Sequence, residues 1–307
     1  MYTKIIILIV FAIISQYLYR SYKLSNEMFE THEHYKLVSD YFIGEKMNRR
    51  KPILWIHTST ELNARNWESF YSRTSTKLNQ PYLQITMKSI YDKCKDSFNI
   101  CLIDDDVFRR LLSWNVELDD LAEPMKSHYR KLGISMLLYH YGGMIVPQSF
   151  LCVKNLRELM TDKMTVVEGI NKGITHDQSP YFPNTDMMVC KKGSLSMKAF
   201  VEFQEELYKD KTVQSDFIGN TSLWLNKADV KIIDGKNIGI KKVNGTPIGI
   251  AELLGTDHID IPDTVYGIYL PHKEILSRTK YNWFARMSTE QILSSQLMIT
   301  KYILASY

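Results

Sequence analysis

The sequence predicts an α/β fold, a mostly parallel sheet flanked by helices. Three observations carry this expectation. Short apolar runs of strand length alternate with segments whose apolar residues recur at helical spacing. Several of those runs end in polar or acidic turns, where strands of such sheets open onto a ligand cleft. The chain is 307 residues long, 45% hydrophobic and 23% charged, which is enough to bury a core on both faces of a sheet. That composition excludes disordered, collagen-like and polytopic membrane proteins. A net charge of +4, from 38 basic and 34 acidic side chains, is too balanced for a nucleic-acid partner. The four cysteines, Cys94, Cys101, Cys152 and Cys190, form no CxxC pair and argue against a zinc cluster.

The elements follow in order. Ile5 to Ile14 is an unbroken apolar run, and 15 residues separate Lys4 from Arg20. As a helix these span roughly 22 Å, short of the ~30 Å hydrocarbon core. Tyr17, Tyr19 and Tyr22 suit the headgroup belt, and Arg20 and Lys23 can snorkel. Residues 1–22 are therefore read as a transmembrane anchor, giving a single-pass membrane location. A cleaved signal peptide is the rival, and no small-residue cleavage site follows. Basic residues flank both ends, so the side of the membrane is not readable. Residues 23–51 read as a stem helix and linker, and 52–307 as the α/β domain.

Within that domain, Ile53–His57 is a strand followed by a polar turn at Thr58, Ser59 and Thr60. Helices are expected through Trp67–Thr74 and Leu83–Cys94. Phe98–Ile103 is a strand running into Asp104, Asp105 and Asp106. Val107–Trp114 and Ser127–His140 read as helices, and Met144–Val146 as a strand stopped by Pro147. Further strands are expected at 165–168, 187–190 and 230–233, and helices at 195–208 and from 289 onward. The stretch Gly169–Thr185, with Pro180 and Pro183, reads as a loop over a site.

The order of these pieces resembles the glycosyltransferases with a DXD sugar-binding region and the related capsular-polysaccharide synthesis type. The resemblance rests on the Pro52–His57 strand, the Phe98–Asp105 strand with its acidic turn, Leu137–Gly143 (LLYHYGG), and Phe150–Leu156. It implies a GT-A-like nucleotide-diphospho-sugar transferase fold after an N-terminal membrane helix. It also implies a nucleotide-sugar donor and a glycan or protein acceptor. Donor contacts would come from Thr58, Ser59, Asp104, Asp105, Asp106, Gly142, Gly143, Pro147, Gln148 and Ser149. Asp186 is the candidate acceptor-side base, its rival being an ordinary carboxylate at a strand edge. His272 and Trp283 are the acceptor or sugar-stacking residues.

The resemblance breaks at the chemistry. The two DXD carboxylates fall on Pro147 and Ser149, with Gln148 between them. Neither supplies a charged ligand to Mn²⁺ or Mg²⁺. The acidic and basic positions of the preceding helix hold Lys131 and Ile134. Two repairs stand open. One is a shifted metal site at Asp104 and Asp106, whose rival is an ordinary helix cap. The other is metal-free transfer, with Arg130, Lys131, Lys154, Lys191 and Lys192 as available cations. The alternative to both is a catalytically inactive relative that binds a glycan, a nucleotide or a protein.

Overall fold

A computed structural model describes residues 38–44, 47–58, 80–112, 114–171, 173, 179–209 and 216–306. The expected anchor at 1–22, most of the stem, the helix at 67–74 and Ser59 lie outside the described residues. Among the described residues no helix is long and apolar enough to cross a membrane. The chain forms two units, Met1–Phe42 and Ile43–Tyr307. In the first, a 3₁₀ turn at Ser39–Tyr41 stands inside the span read as a stem helix.

The second unit is built on a six-stranded sheet. Its strands are β1 (Ile53–His57), β2 (Asn99–Ile103), β3 (Gly143–Pro147), β5 (Thr165–Ile170), β6 (Tyr181–Cys190) and β7 (Lys231–Ile233), in the order β2-β1-β3-β6-β5-β7. β1 runs parallel to β2 and β3, and β5 runs parallel to β7. β6 is antiparallel to both of its neighbours. Every strand but β6 therefore points one way, and the sheet is mostly parallel as the sequence predicts.

The central strands explain why these residues are strands. Ile53, Leu54, Trp55 and Ile56 are all buried, which requires layers on both faces. Helix α1 (Pro81–Cys94) covers one face through Ile90 and Cys94, which join a core cluster with Leu54, Ile56 and Ile100. The opposite face receives α2 (Asp106–Leu112), α3 (Met125–Tyr141) and α4 (Leu195–Lys209). Pro81 sits at the first position of α1, where its missing N–H costs nothing. α5 (Phe217–Lys227) begins at Asp216, whose carboxylate accepts from Gly219 N at 2.8 Å.

A two-stranded antiparallel sheet joins β4 (Phe150–Cys152) to β8 (Gly267–Tyr269). It ties the C-terminal helices α6 (His272–Ser277), α7 (Thr289–Ser294) and α8 (Met298–Ser306) to the end of β3. Those helices share a second core cluster with Tyr82, Leu83 and Leu151.

One expectation is corrected. The described ends of Gly169–Thr185 are strand and not loop, while 172 and 174–178 lie outside the described residues. β5 continues to Ile170 and β6 starts at Tyr181, pairing Glu168 with Pro183 and Ile170 with Tyr181. β3 pairs only with Met188–Cys190 of β6, so Tyr181–Met187 has one unladdered edge. Pro183 is tolerated there because no second neighbour needs its N–H.

Candidate functional site

A cavity of about 670 Å³ opens at the carboxyl ends of β1 and β3. That volume lies within the roughly 300–1,000 Å³ of small-molecule sites. In mixed α/β sheets this is the edge where ligands bind. Side chains from α3, from the first half of β6 and from the segment after β8 complete its wall.

The β2–α2 turn anchors one side. Arg130 of α3 grips Asp105 as a fork, with Nε donating to Oδ1 at 2.9 Å and Nη2 to Oδ2 at 2.6 Å. His57 Nε2 meets the same Oδ1 at 2.9 Å and stacks on Phe108. Burial works to raise the Asp105 pKa, but the hydrogen bonds and charges of His57 and Arg130 outweigh it and hold the carboxyl at about 2. The ion pair fixes the N-terminal half of α3 against β1, so that the next residue, Lys131, lines the cavity.

β6 supplies the opposing carboxylate. Its ladder to β5 jumps from Val166↔Met188 to Val167↔Asn184, so Thr185, Asp186 and Met187 bulge out of register. A bulge re-aims side chains, and this one sets Asp186 on the cavity wall. Asp186 Oδ1 lies 3.4 Å from Lys131 Nζ. Its Oδ2 accepts from Asn184 Nδ2 at 3.0 Å and from the Tyr269 hydroxyl at 3.3 Å. Burial again pushes upward, yet Lys131, Asn184, Lys273 and His272 together hold Asp186 at about 2. The same carboxylate, together with burial, pushes the Tyr269 phenol well above its ordinary value. Asp186 is thus ionised and Tyr269 protonated at neutral pH.

The turn after β3 closes the floor. Pro147 and Gln148 line the cavity. Gln148 is 4% exposed, and its side-chain Oε1 meets no partner among the described residues. A buried unpaired carbonyl costs stability and is an open acceptor for a ligand donor. Ser149 is fully buried and shares a 3.2 Å hydrogen bond with His272 Nδ1. Burial and Lys273 hold the His272 pKa down at about 4, against the pull of Asp186, so the ring is neutral at pH 7.

The structure therefore brings together Pro147, Gln148, Ser149, Asp186 and His272 of the residues expected from sequence. It separates the others. Gly142 (φ +71°) and Gly143 (φ +105°) make the turn from α3 into β3, at the opposite end of that strand from the cavity. A Cβ on Gly142 would lie 2.6 Å from Lys192 N, so close backbone packing explains these glycines. Thr58 extends β1, donating its N–H to Ile103 O at 2.8 Å. Trp283 is 42% exposed, donates to Lys280 O at 2.9 Å and does not line the cavity. Of the spare cations, Lys131 and Arg130 line the cavity. Lys191 pairs with Asp162 at 3.7 Å, and Lys154 donates to Asp263 O. Sequence reasoning missed Glu168, Tyr269, Lys273 and Glu274, which line it too. Tyr269 reaches it from the three-residue strand β8, which carries no periodic signal, and Lys273 from the start of α6 just beyond it.

The shifted metal site is not supplied with ligands. Asp104 Oδ1 accepts from Asp106 N at 3.1 Å, and Asp106 pairs with Arg109 at 3.3 Å, the pattern of a helix start. Asp186 is already shared among Lys131, Asn184 and Tyr269. No group of three or more His, Cys, Asp or Glu able to hold a metal occurs among the described residues. The side chains at the cavity do not fit Mn²⁺ or Mg²⁺.

No family model matches the sequence, and no curated protein matches it. Among solved structures, the PaToxG glycosyltransferase is 10% identical over 67% of this chain and 77% of its own, with a TM-score of 0.36. The galactosyltransferase LgtC, solved with donor and acceptor sugar analogues, is 11% identical over 82% of this chain and 95% of its own, with a TM-score of 0.39. A 4-diphosphocytidyl-2C-methyl-D-erythritol synthase from Anaerococcus prevotii DSM 20548 is 13% identical over 64% and 92%, with a TM-score of 0.31. Likeness at this level carries no argument about the chemistry of the cavity.

Proposed function

We propose that the protein is a glycosyltransferase-like protein that binds a nucleotide sugar in this cavity without a divalent cation. It passes the sugar to an acceptor hydroxyl. The observation that carries the reading is the Lys131–Asp186 pair, with Lys273 beside it, on the wall of a ligand-sized cavity at the strand ends. Lys131 and Lys273 face the donor diphosphate and stabilise the charge that grows as it leaves. The bond from the anomeric carbon to the diphosphate oxygen breaks, and its electron pair leaves with the nucleoside diphosphate. The acceptor oxygen bonds to the anomeric carbon, and its proton passes to Asp186. Lys131 ties these events together: drawn toward the diphosphate, it releases its hold on Asp186, and the carboxylate becomes a better base. Membrane anchoring through 1–22 is part of this proposal, supported by the apolar run Ile5 to Ile14.

The test uses the full chain and a panel of nucleoside diphosphates and nucleotide sugars, in EDTA and in Mn²⁺, read by thermal stabilisation. A ligand at ~100 times its Kd adds roughly 2.7 kcal/mol. The expected result is stabilisation by at least one nucleotide sugar, equal in EDTA, and weakened tenfold or more in Lys131→Met. No stabilisation of a folded sample by any of them sinks the reading. The Pro147-Gln148-Ser149 segment favours a second reading, an inactive binding relative. Binding without any transfer or hydrolysis of the bound nucleotide sugar would select it.

A further inference from the structure

The two ends of the cavity differ in chemistry. In the order of the sheet it runs from β1 through β3 and β6 to β5. His57, Arg130, Lys131 and Gln148 stand at the β1–β3 end, with His272 joined to it through Ser149 and Lys273 next to His272 in the chain. The β5 end is walled by Val167, Ile170, Phe182, Ile238, Ile240 and Ile248. Ile240 and Ile248 face it from one hairpin, closed by Ile248 N donating to Ile240 O at 2.8 Å. The carboxylate on this wall, Glu168, is neutralised. It pairs with the buried Lys241 and accepts from Gly235 N at 2.7 Å. Lys241 also lies 3.5 Å from Asp234 and 4.1 Å from the Tyr181 ring centroid. Asp186 stands on the bulge between the two ends.

A glycan entering the β5 end would trade water for a wall of branched hydrocarbon, leaving its hydroxyls without partners. Five of the six wall residues are aliphatic, so the wall offers little ring surface on which a sugar can stack. Trp283, the platform expected from sequence, lies outside it. A hydrocarbon chain loses nothing there and gains burial.

We infer that the acceptor is an alcohol carried on an alkyl chain, its chain lying along the β5 end and its hydroxyl at Asp186. This rests on the transfer reading above. The test uses the purified full chain and an alkyl alcohol bearing a photoreactive diazirine, with labelled peptides mapped by mass spectrometry. Label is expected to concentrate in the peptides holding Val167–Ile170 and Ile238–Ile248. 1-Octanol is expected to suppress it threefold or more, and maltotriose to leave it unchanged. Ile248→Trp, which fills the β5 end, is expected to lower the label threefold. Val167→Phe, filling the same end from a strand, serves if the first variant misfolds. Nucleotide-sugar stabilisation is measured on the same samples. Nucleotide binding with no excess label at these peptides, or with label displaced by maltotriose, overturns the inference alone. Label without any nucleotide binding overturns the acceptor role together with the transfer reading.

Discussion

Asp105 shows how one side chain organises a site it does not enter. Its carboxylate, held at about 2 against an ordinary 3.8, joins the β2 turn to β1 through His57 and to α3 through Arg130. A folded-state pKa below the unfolded one gives stability that is present above pH 4 and lost as pH falls toward 2. Asp186 adds to the same window, with the same sign. Urea midpoints measured from pH 6 to pH 2 should therefore fall steeply below pH 4. Arg130→Met should flatten that fall in part and cost about 1 kcal/mol at pH 7, since His57 and Arg130 share the lowering of the Asp105 pKa. A full acid-side slope in Arg130→Met would show that the pair does not set the Asp105 pKa. Asp105 was legible in the sequence as part of an acidic turn. Its role was not, because its partners lie 48 and 25 residues away and no local pattern links them.

The acidic turn also separates two readings of an element. Asp104 and Asp106 match a bare DxD pattern, and the structure uses them to start α2. Helix-start carboxylates are worth roughly 0.3–1 kcal/mol each at an exposed end. Asp104→Asn with Asp106→Asn should therefore cost about 1 kcal/mol by urea unfolding and leave nucleotide affinity unchanged with or without Mn²⁺. A metal-dependent loss of affinity would restore the shifted metal site. The α3–β3 turn invites a paired comparison. Gly143 has φ +105°, and a Cβ there would run into Ile53 O, whereas Gly193 has φ +71° with open space around it. Gly143→Ala should cost more than ~2 kcal/mol by thermal unfolding and Gly193→Ala about 1 kcal/mol. Equal costs would mean that the turn yields where the packing forbids it. Legibility followed burial symmetry. β1 and β2 are apolar on both faces and stand out as runs. β6 is not legible over 181–186, because its bulge breaks the two-residue period and Pro183, Asn184 and Asp186 read as a loop. β4 and β8 are three residues each, too short to carry any period.

At the scale of the molecule, the sheet order puts five strand directions and one reversal to use. Because β6 runs backward, its N-terminal half arrives at the edge where β1, β3 and β5 end, bringing Asp186 opposite α3. Under the proposed reading, Lys131 and Lys273 on the cavity wall meet the charge of a bound diphosphate in place of a cation. Two measurements then move in opposite directions from those of a metal site. Stripping divalent ions with EDTA should leave nucleotide stabilisation within about 0.3 kcal/mol of its value in Mn²⁺, since no ligand set is lost. Raising ionic strength from 0.05 to 1 M should weaken it, because partly exposed ammonium–phosphate pairs are screened as the Debye length shrinks to about 3 Å. Lys273→Met combined with Lys131→Met should remove most of that salt dependence. Persistence of the full salt dependence in the double variant would place the diphosphate elsewhere, and with it the whole assignment of donor and acceptor ends.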